Sequence, residues 1–240
     1  MSDASDQHRQ TISYRYTFIL EGGRERAFEL QLDSRTLALR TTPSETPPEW
    51  TRLACCKCPN CPLSEEDHPH CPIAVNITDL VGFFTDAASY DEIDVRITTD
   101  QRSYMKHTTA TEAVSSLLGI YMVTSGCPIM DKLRPMVRFH LPLSTPDETV
   151  FRAMAMYLVA QYFISRHGGD PDWNLEKLPL IYREVHAVNS SFMNRLHETA
   201  VRDASLNAIV RLDAFASIIV MSFDFDQLEG IEAMFDAYLP

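Results

Sequence analysis

Four of the six cysteines in this 240-residue chain are followed directly by proline, and this pairing strongly limits how the chain can fold. The four are Cys58, Cys61, Cys71 and Cys127. Six cysteines and fourteen prolines placed at random would give fewer than one such pair. Proline fixes φ and removes a backbone donor, so each of these thiols is held on a stiff stretch of backbone. We therefore treat the four as one set, and Cys55 and Cys56 as separate from it.

Three members of the set lie in a segment, residues 42–72, that has no regular hydrophobic pattern. It contains seven of the fourteen prolines and five of the six cysteines. Loops longer than about 12–15 residues without secondary structure are uncommon, so a structural site inside this one would explain how it is ordered. The C-x2-C spacing of Cys58 and Cys61 lets two sulfurs bind one metal ion.

The spacing predicts a metal site with thiolate ligands, and zinc is favoured because a closed zinc site orders a loop of this kind. Cys58, Cys61 and Cys71 are three predicted ligands, and either Cys127 or His68 is the fourth. An iron–sulfur cluster is the alternative cofactor, although a complete ferredoxin-type cysteine run is absent from the sequence. A third interpretation is a thiol redox sensor based on Cys127, whose expected position at a helix N-terminus would lower its pKa.

Arg134, Arg138 and His140 form a second candidate group, as cofactor-binding residues. In this alternative the chain is an enzyme whose metal or cluster lines a pocket between a sheet and a helical bundle. Two arginines four residues apart on a helix can hold an anion. A short capped helix with a solvated basic face explains the same residues without any site. No nucleophile-elbow, P-loop or dinucleotide-binding motif is present in the sequence, so no reaction is predicted.

Hydrophobic periodicity predicts an α+β fold, with an N-terminal antiparallel sheet of about five strands and a C-terminal helical bundle. The predicted strands cover 14–20, 28–32, 36–41, 93–97 and 102–107. The predicted helices cover 73–84, 146–167, 175–200 and 203–221, with a last one opened by Asp224 or Asp226. One more is capped by Thr109 or Thr111 and runs to about Thr124. Residues 1–11 are predicted as a disordered tail. Residues 12–108 form a sheet domain that includes loop 42–72 and one helix, and 109–240 form a helical domain packed on it as one unit.

Charge and hydropathy limit the partners and the compartment. The net charge of -12 argues against bulk attraction to nucleic acid. The first twenty residues lack a secretory signal, and the apolar runs Met154–Ile164 and Ile218–Phe223 are shorter than the roughly 20 residues that cross a bilayer. We therefore expect a cytoplasmic protein with reduced thiols and no membrane contact. A metal ion is the predicted partner, and the sequence is compatible with a protein partner or a homodimer.

Three motifs of this chain resemble those of an uncharacterised family of bacterial cytosolic proteins. They are Cys58-Pro-Asn-Cys-Pro-Leu, His70-Cys71-Pro, and Gly119-Ile-Tyr-Met-Val-Thr-Ser-Gly-Cys-Pro-Ile-Met-Asp-Lys-Leu-Arg-Pro-Met. The resemblance extends over most of the chain. It implies no activity and no functional residue, but it supports treating these segments as parts of one type of protein.

Overall fold

The computed structural model describes residues 11–40, 46–84, 88–197, 203–224 and 228–239. These ranges form a mixed α and β fold with an N-terminal antiparallel sheet followed by helices, as the periodicity predicts. The strands are β1 (Thr11–Ile19), β2 (Glu25–Asp33), β3 (Glu92–Thr99) and β4 (Ser103–Thr109). The α-helices are α1 (Pro72–Asn76), α2 (Thr78–Phe83), α3 (Ala110–Thr124), α4 (Pro146–Arg166), α5 (Leu178–His197), α6 (Asp203–Asp224) and α7 (Glu229–Glu232). A 3₁₀ segment, Met130–Phe139, links α3 to α4.

The sheet has the strand order β2-β1-β3-β4, and every neighbouring pair is antiparallel. Tyr16 in β1 lies opposite Phe28 of β2 and Ile97 of β3. Alternate side chains of β1 and β3 are buried, which is the period-2 pattern of a sheet with one face on the core. The turn between β1 and β2 uses Gly22 and Gly23, both at positive φ, which glycine adopts without steric cost.

The strand predicted over 36–41 is not a strand in residues 36–40. The Asp33 carboxylate accepts hydrogen bonds from the backbone N–H groups of Arg35 and Thr36, and this folds the chain into a turn. Only Leu39 pairs with β2, as an isolated bridge to Leu32. Such short side-chain-to-backbone bonds compete with strand pairing. The described part of the sheet therefore has four strands rather than about five; residue 41 lies outside it.

Local capping signals set the beginnings of α3 and α4. The Thr109 hydroxyl accepts a hydrogen bond from the Glu112 N–H at the start of α3. Thr145 and Glu148 form a reciprocal capping box at the start of α4, with Pro146 at its first position. α3 is buried along most of its length and packs on α6, which in turn packs on α5. The helices and the sheet share one hydrophobic core.

Three predicted helices differ from the structure. The helix expected over 73–84 is divided into α1 and α2 at Ile77, where the Thr78 hydroxyl donates to the carbonyls of Ala74 and Val75. The helix whose N-terminus is expected at Cys127 begins instead at Met130 and is 3₁₀ in type. Asp224 ends α6 rather than opening a helix, and Asp226 lies outside the described residues. The predicted tail also lies outside them, except for Thr11, which begins β1.

One helix in the described ranges is long and apolar enough to cross a membrane, judged by length and composition alone. Its window, Ala204–Phe223 in α6, has a mean hydropathy of 1.6, and 28% of it is buried inside the protein. The apolar run Ile218–Phe223 noted in the sequence is only the last part of this window. Core helices also meet this criterion, and α6 packs on both α3 and α5.

Candidate metal centre

The four cysteines that precede proline line one small cavity. Its volume is about 20 Å³, close to the space that one water molecule needs. The walls come from the cysteine-rich segment, the start of α1, the chain before the 3₁₀ segment, and α5. Besides Cys58, Cys61, Cys71 and Cys127, the lining consists of Leu53, Lys57, Leu63, Pro72, Ile73, Ile129, Val188, Phe192 and Arg195.

Hydrogen bonds fix the three cysteines of the segment. The Cys61 N–H donates to the Cys58 carbonyl at 3.0 Å, which closes the Cys58–Cys61 turn. Asn60 inside this turn donates from Nδ2 to the Glu184 carboxylate at 2.6 Å, which fastens the turn to α5. The Cys71 N–H donates to the Thr51 carbonyl at 2.8 Å, and Pro72 then begins α1. Hydrogen bonds within the segment and to α5 therefore hold it in place.

Cys127 reaches the same cavity from the other side. Gly126 precedes it at a φ of 91°, a conformation that favours glycine. The backbone N–H groups of Ile129 and Met130 donate to the Cys127 sulfur. Two N–H groups directed at one sulfur suit a thiolate, because they stabilise its negative charge.

Burial makes two of these thiols, Cys58 and Cys127, weaker acids than an exposed cysteine. It raises the pKa of Cys58 to about 11, against a weaker opposing effect of the hydrogen bond from Ser191. Burial also raises the pKa of Cys127, and this outweighs the two backbone N–H groups. The prediction of a low pKa for the Cys127 thiol is therefore wrong. The other cysteines of the set add to both shifts, since their charges would repel a thiolate.

Arg195 is a buried cation beside the cavity, and the sequence analysis missed it. Its side chain is only 2% exposed. One guanidinium nitrogen donates to the carbonyls of Trp50 and Arg52 at 2.7 and 2.6 Å. The other donates to those of Leu53 and Cys56, both at 3.4 Å. The available signal was its position three residues after Phe192, on the apolar stripe of α5.

The alternative ligand His68 and the two cysteines outside the set do not line the cavity. His68 is exposed, and Cys55 and Cys56 are not among the lining residues. All six cysteines are free thiols. Within the part of the chain that the structure describes, no three His, Cys, Asp or Glu side chains form a group that could hold a metal ion as they stand. Coordination would therefore require the four thiols to move closer together.

Arg134, Arg138 and His140 are not gathered into one site. Arg134 forms an ion pair with Asp131. Arg138 is exposed, with its guanidinium 6.0 Å from the ring centre of Phe139. His140 points inward, and its Nε2 lies 2.7 Å from the Tyr16 hydroxyl. Arg138 and His140 both line a pocket at the sheet end, next to Tyr14 and Tyr104. Of the three, only His140 also lines a cavity that lies among the helices and shares no lining residue with the cysteine cavity.

A family model described as a domain of unknown function, DUF6901, matches residues 12–236. The chain belongs to this family. The DUF6901 match extends from β1 to the end of the described helices, so all four cysteines of the cavity lie inside the domain. This agrees with the predicted membership of an uncharacterised family. No curated protein and no solved structure matches the chain.

Proposed function

We propose that this DUF6901 protein binds one zinc ion through Cys58, Cys61, Cys71 and Cys127. The ion would tie the cysteine-rich segment to the helices as a closed structural site. The observation that carries the proposal is that these four cysteines, from three separate parts of the chain, line one cavity. We place the protein in the cytoplasm, where such thiols stay reduced and available to a metal.

The donor set suits a structural role rather than a catalytic one. Zinc in structural sites takes four protein ligands in a tetrahedron, and four thiolates are a common set. Such a site leaves no open position for water or substrate. Binding would release the thiol protons and draw the four sulfurs toward the ion, so its free energy would contribute to ordering the segment.

The charges around the cavity support this donor set. Four thiolates and one Zn²⁺ carry a net charge of −2, which is costly between apolar walls unless a cation is near. Arg195 lines the cavity as a buried cation, and Lys57 lines it with an exposed side chain. In the described residues, no ion pair joins Arg195 to a carboxylate, and its recorded partners are neutral carbonyls. The Arg195 charge is thus left to balance the site.

The same geometry favours one answer to each of three questions: the fourth ligand, the type of metal centre, and a metal site against a redox sensor. Cys127 is favoured over His68 as the fourth ligand because it lines the cavity and His68 is exposed. One zinc ion is favoured over an iron–sulfur cluster because a cavity of about 20 Å³ matches one small guest. A redox sensor is disfavoured because a raised pKa leaves Cys58 and Cys127 with little of the reactive thiolate.

The test measures metal content and absorption after anaerobic purification of matched variants. Cys71→Ser and Cys127→Ser each remove one proposed ligand. Cys55→Ser and His68→Asn are the controls, because they change neighbouring candidates outside the cavity. We expect about one zinc per chain in the wild type and in both controls, and loss of most of it in the two ligand variants.

Three outcomes would contradict the proposal. Iron with absorption near ~400 nm would indicate a cluster instead of zinc. A freshly purified wild-type protein that contains no metal, and takes up no zinc when titrated, would leave the thiol interpretation. Full zinc occupancy in Cys127→Ser, with loss in His68→Asn, would transfer the fourth ligand to His68.

A further inference from the structure

A second cavity, separate from the cysteine cavity, lies among α3, α4, α5, α6 and the 3₁₀ segment. Its volume is about 160 Å³. An engineered protein cavity of about 150 Å³ with apolar walls holds one benzene molecule, so this one has room for at least one aromatic ring. Most of its walls are apolar, for example Met122, Leu133 and Phe215. A few polar groups interrupt them, which is the usual composition of a small-molecule site.

Gly119 in the middle of α3 keeps one wall of this cavity open. Glycine is the least favourable residue in a helix interior apart from proline. Here neither backbone conformation nor close packing requires it. Its φ is not positive, and an added Cβ would meet only Leu212 Cδ2, at an ordinary 3.5 Å. What the absent side chain provides is space in the cavity wall.

Asn189 lines the cavity and carries a buried polar atom that has no partner. The residue is only 1% exposed and lines the cavity from α5. Its Nδ2 donates to the Asp213 carboxylate at 3.4 Å, whereas its Oδ1 has no hydrogen-bond partner in the described structure. A buried acceptor without a donor is costly, and a guest carrying an O–H or N–H group would remove that cost.

Arg152 supplies a cation at the other end. Its Nη2 donates to the carbonyls of Met136 and Phe139 at 3.0 and 3.3 Å. No ion pair with a carboxylate is present for it in the described ranges, and its charge acts on the neighbouring Tyr182. Tyr182 and Asn189 are seven residues apart on α5, which is about 10 Å along the helix axis.

We propose that this cavity binds a small aromatic or similarly compact monocarboxylate. The carboxylate contacts the free donors of Arg152, the apolar body fills the space beside Gly119, and a hydroxyl at the far end donates to Asn189 Oδ1. The site does not depend on the proposed zinc, because the two cavities share no residue.

The test uses three related probes and the zinc-containing full chain. The probes are 4-hydroxyphenylacetate, phenylacetate without the hydroxyl, and the neutral alcohol 2-(4-hydroxyphenyl)ethanol. Calorimetric titration and thermal denaturation measure binding. We expect 4-hydroxyphenylacetate to bind best, and each of the other two to bind roughly tenfold or more weakly, since each lacks one buried polar contact.

Variants then locate the binding. Gly119→Leu fills the cavity from α3 and should abolish binding, whereas Gly82→Leu is the matched control, because Gly82 is an exposed helical glycine with open space around it. Ala216→Met fills the cavity from α6 and serves if Gly119→Leu does not fold. Asn189→Leu should remove the preference for the hydroxyl.

Several results would overturn the proposal. They are no binding of either acid at millimolar concentration, equal binding of the acid and the alcohol, and wild-type affinity in both cavity-filling variants. Because zinc content is measured on the same samples, failure of this site and failure of the zinc proposal are distinguishable.

Discussion

Arg195 connects α5 to the cysteine-rich segment through one guanidinium group. Its four acceptors are carbonyls of residues between Trp50 and Cys56, so a single side chain satisfies a whole turn of backbone. Only the planar fork of arginine reaches several acceptors in this way, because lysine has one compact ammonium group. Arg195 thus has two roles in the account: it orders the segment, and it places a positive charge beside the thiols.

Replacing Arg195 should reveal the structural role. We expect Arg195→Lys to lower the free energy of unfolding by about 2–4 kcal/mol, since buried carbonyls lose their donors. Arg166→Lys, at an exposed position near the end of α4, is the control and should change stability by less than about 0.5 kcal/mol. Urea denaturation of the purified proteins measures both. A stability loss in Arg195→Lys no larger than that of the control would contradict this role.

His140 should make stability depend on pH. Burial, and then the charge of Arg152, lowers its pKa to about 3, so the folded protein holds it neutral while the unfolded chain titrates near its ordinary value of about 6.5. Between these two pKa values, the unfolded state binds one more proton than the folded state. Stability therefore falls as the pH drops through this range. We expect a loss of about 1–2 kcal/mol between pH 7 and pH 5 from this residue.

The variant His140→Gln isolates that contribution. It keeps a polar partner for the Tyr16 hydroxyl but cannot gain a proton in this range. The difference between wild-type and variant stability, followed by urea denaturation from pH 7 to pH 5, should shrink steadily as the pH falls. A difference that does not change with pH would mean that His140 is not held neutral in the fold.

At the scale of elements, the parts predicted correctly from the sequence are those whose signals are local. The beginning of α4 follows from Thr145, Pro146 and Glu148, which act within one turn of helix. The strand expected over 36–41 failed because the Asp33 side chain forms a turn that periodicity does not register. The helix whose N-terminus is expected at Cys127 begins later and is 3₁₀ in type, with Pro135 inside it.

The candidate metal site was also predicted only where its signals are local in the sequence. Proline after cysteine grouped Cys127 with the three cysteines of the segment, although 55 residues separate it from Cys71 in the chain. The sequence left His68 and Cys127 as alternatives because that choice depends on how α1, α5 and the 3₁₀ segment meet. The place of Arg195 depends on the same packing. The sequence alone gives no reason for Gly119, because the cavity that it lines forms only in the folded chain.

The capping box at α4 gives a test at this scale. Thr145→Ala removes the hydroxyl that accepts the Glu148 N–H, and it should cost about 1 kcal/mol of unfolding free energy. Thr145→Ser keeps the hydroxyl and should retain most of that stability. Urea denaturation compares the two variants. Equal losses in both would show that the hydroxyl does not cap the helix.

At the scale of the whole molecule, the sheet and helices have a core of their own, whereas the cysteine-rich segment has few buried side chains. Removing zinc should therefore loosen the segment without unfolding the domain. We expect chelation under reducing conditions to increase amide hydrogen exchange in residues 46–71 and around Cys127, while β1 and β3 stay protected. If hydrogen exchange in this segment is the same with and without zinc, the proposed site does not order the segment.

The zinc site itself is tested most directly by X-ray absorption at the zinc edge of the zinc-loaded protein. We expect four sulfur neighbours at about 2.3 Å and no nitrogen neighbour near 2.0 Å. Cys127→Ser should reduce the sulfur count by one or lose the ion. A spectrum with a nitrogen neighbour, or with only three sulfurs in the wild type, would contradict the claim that Cys58, Cys61, Cys71 and Cys127 bind the ion together.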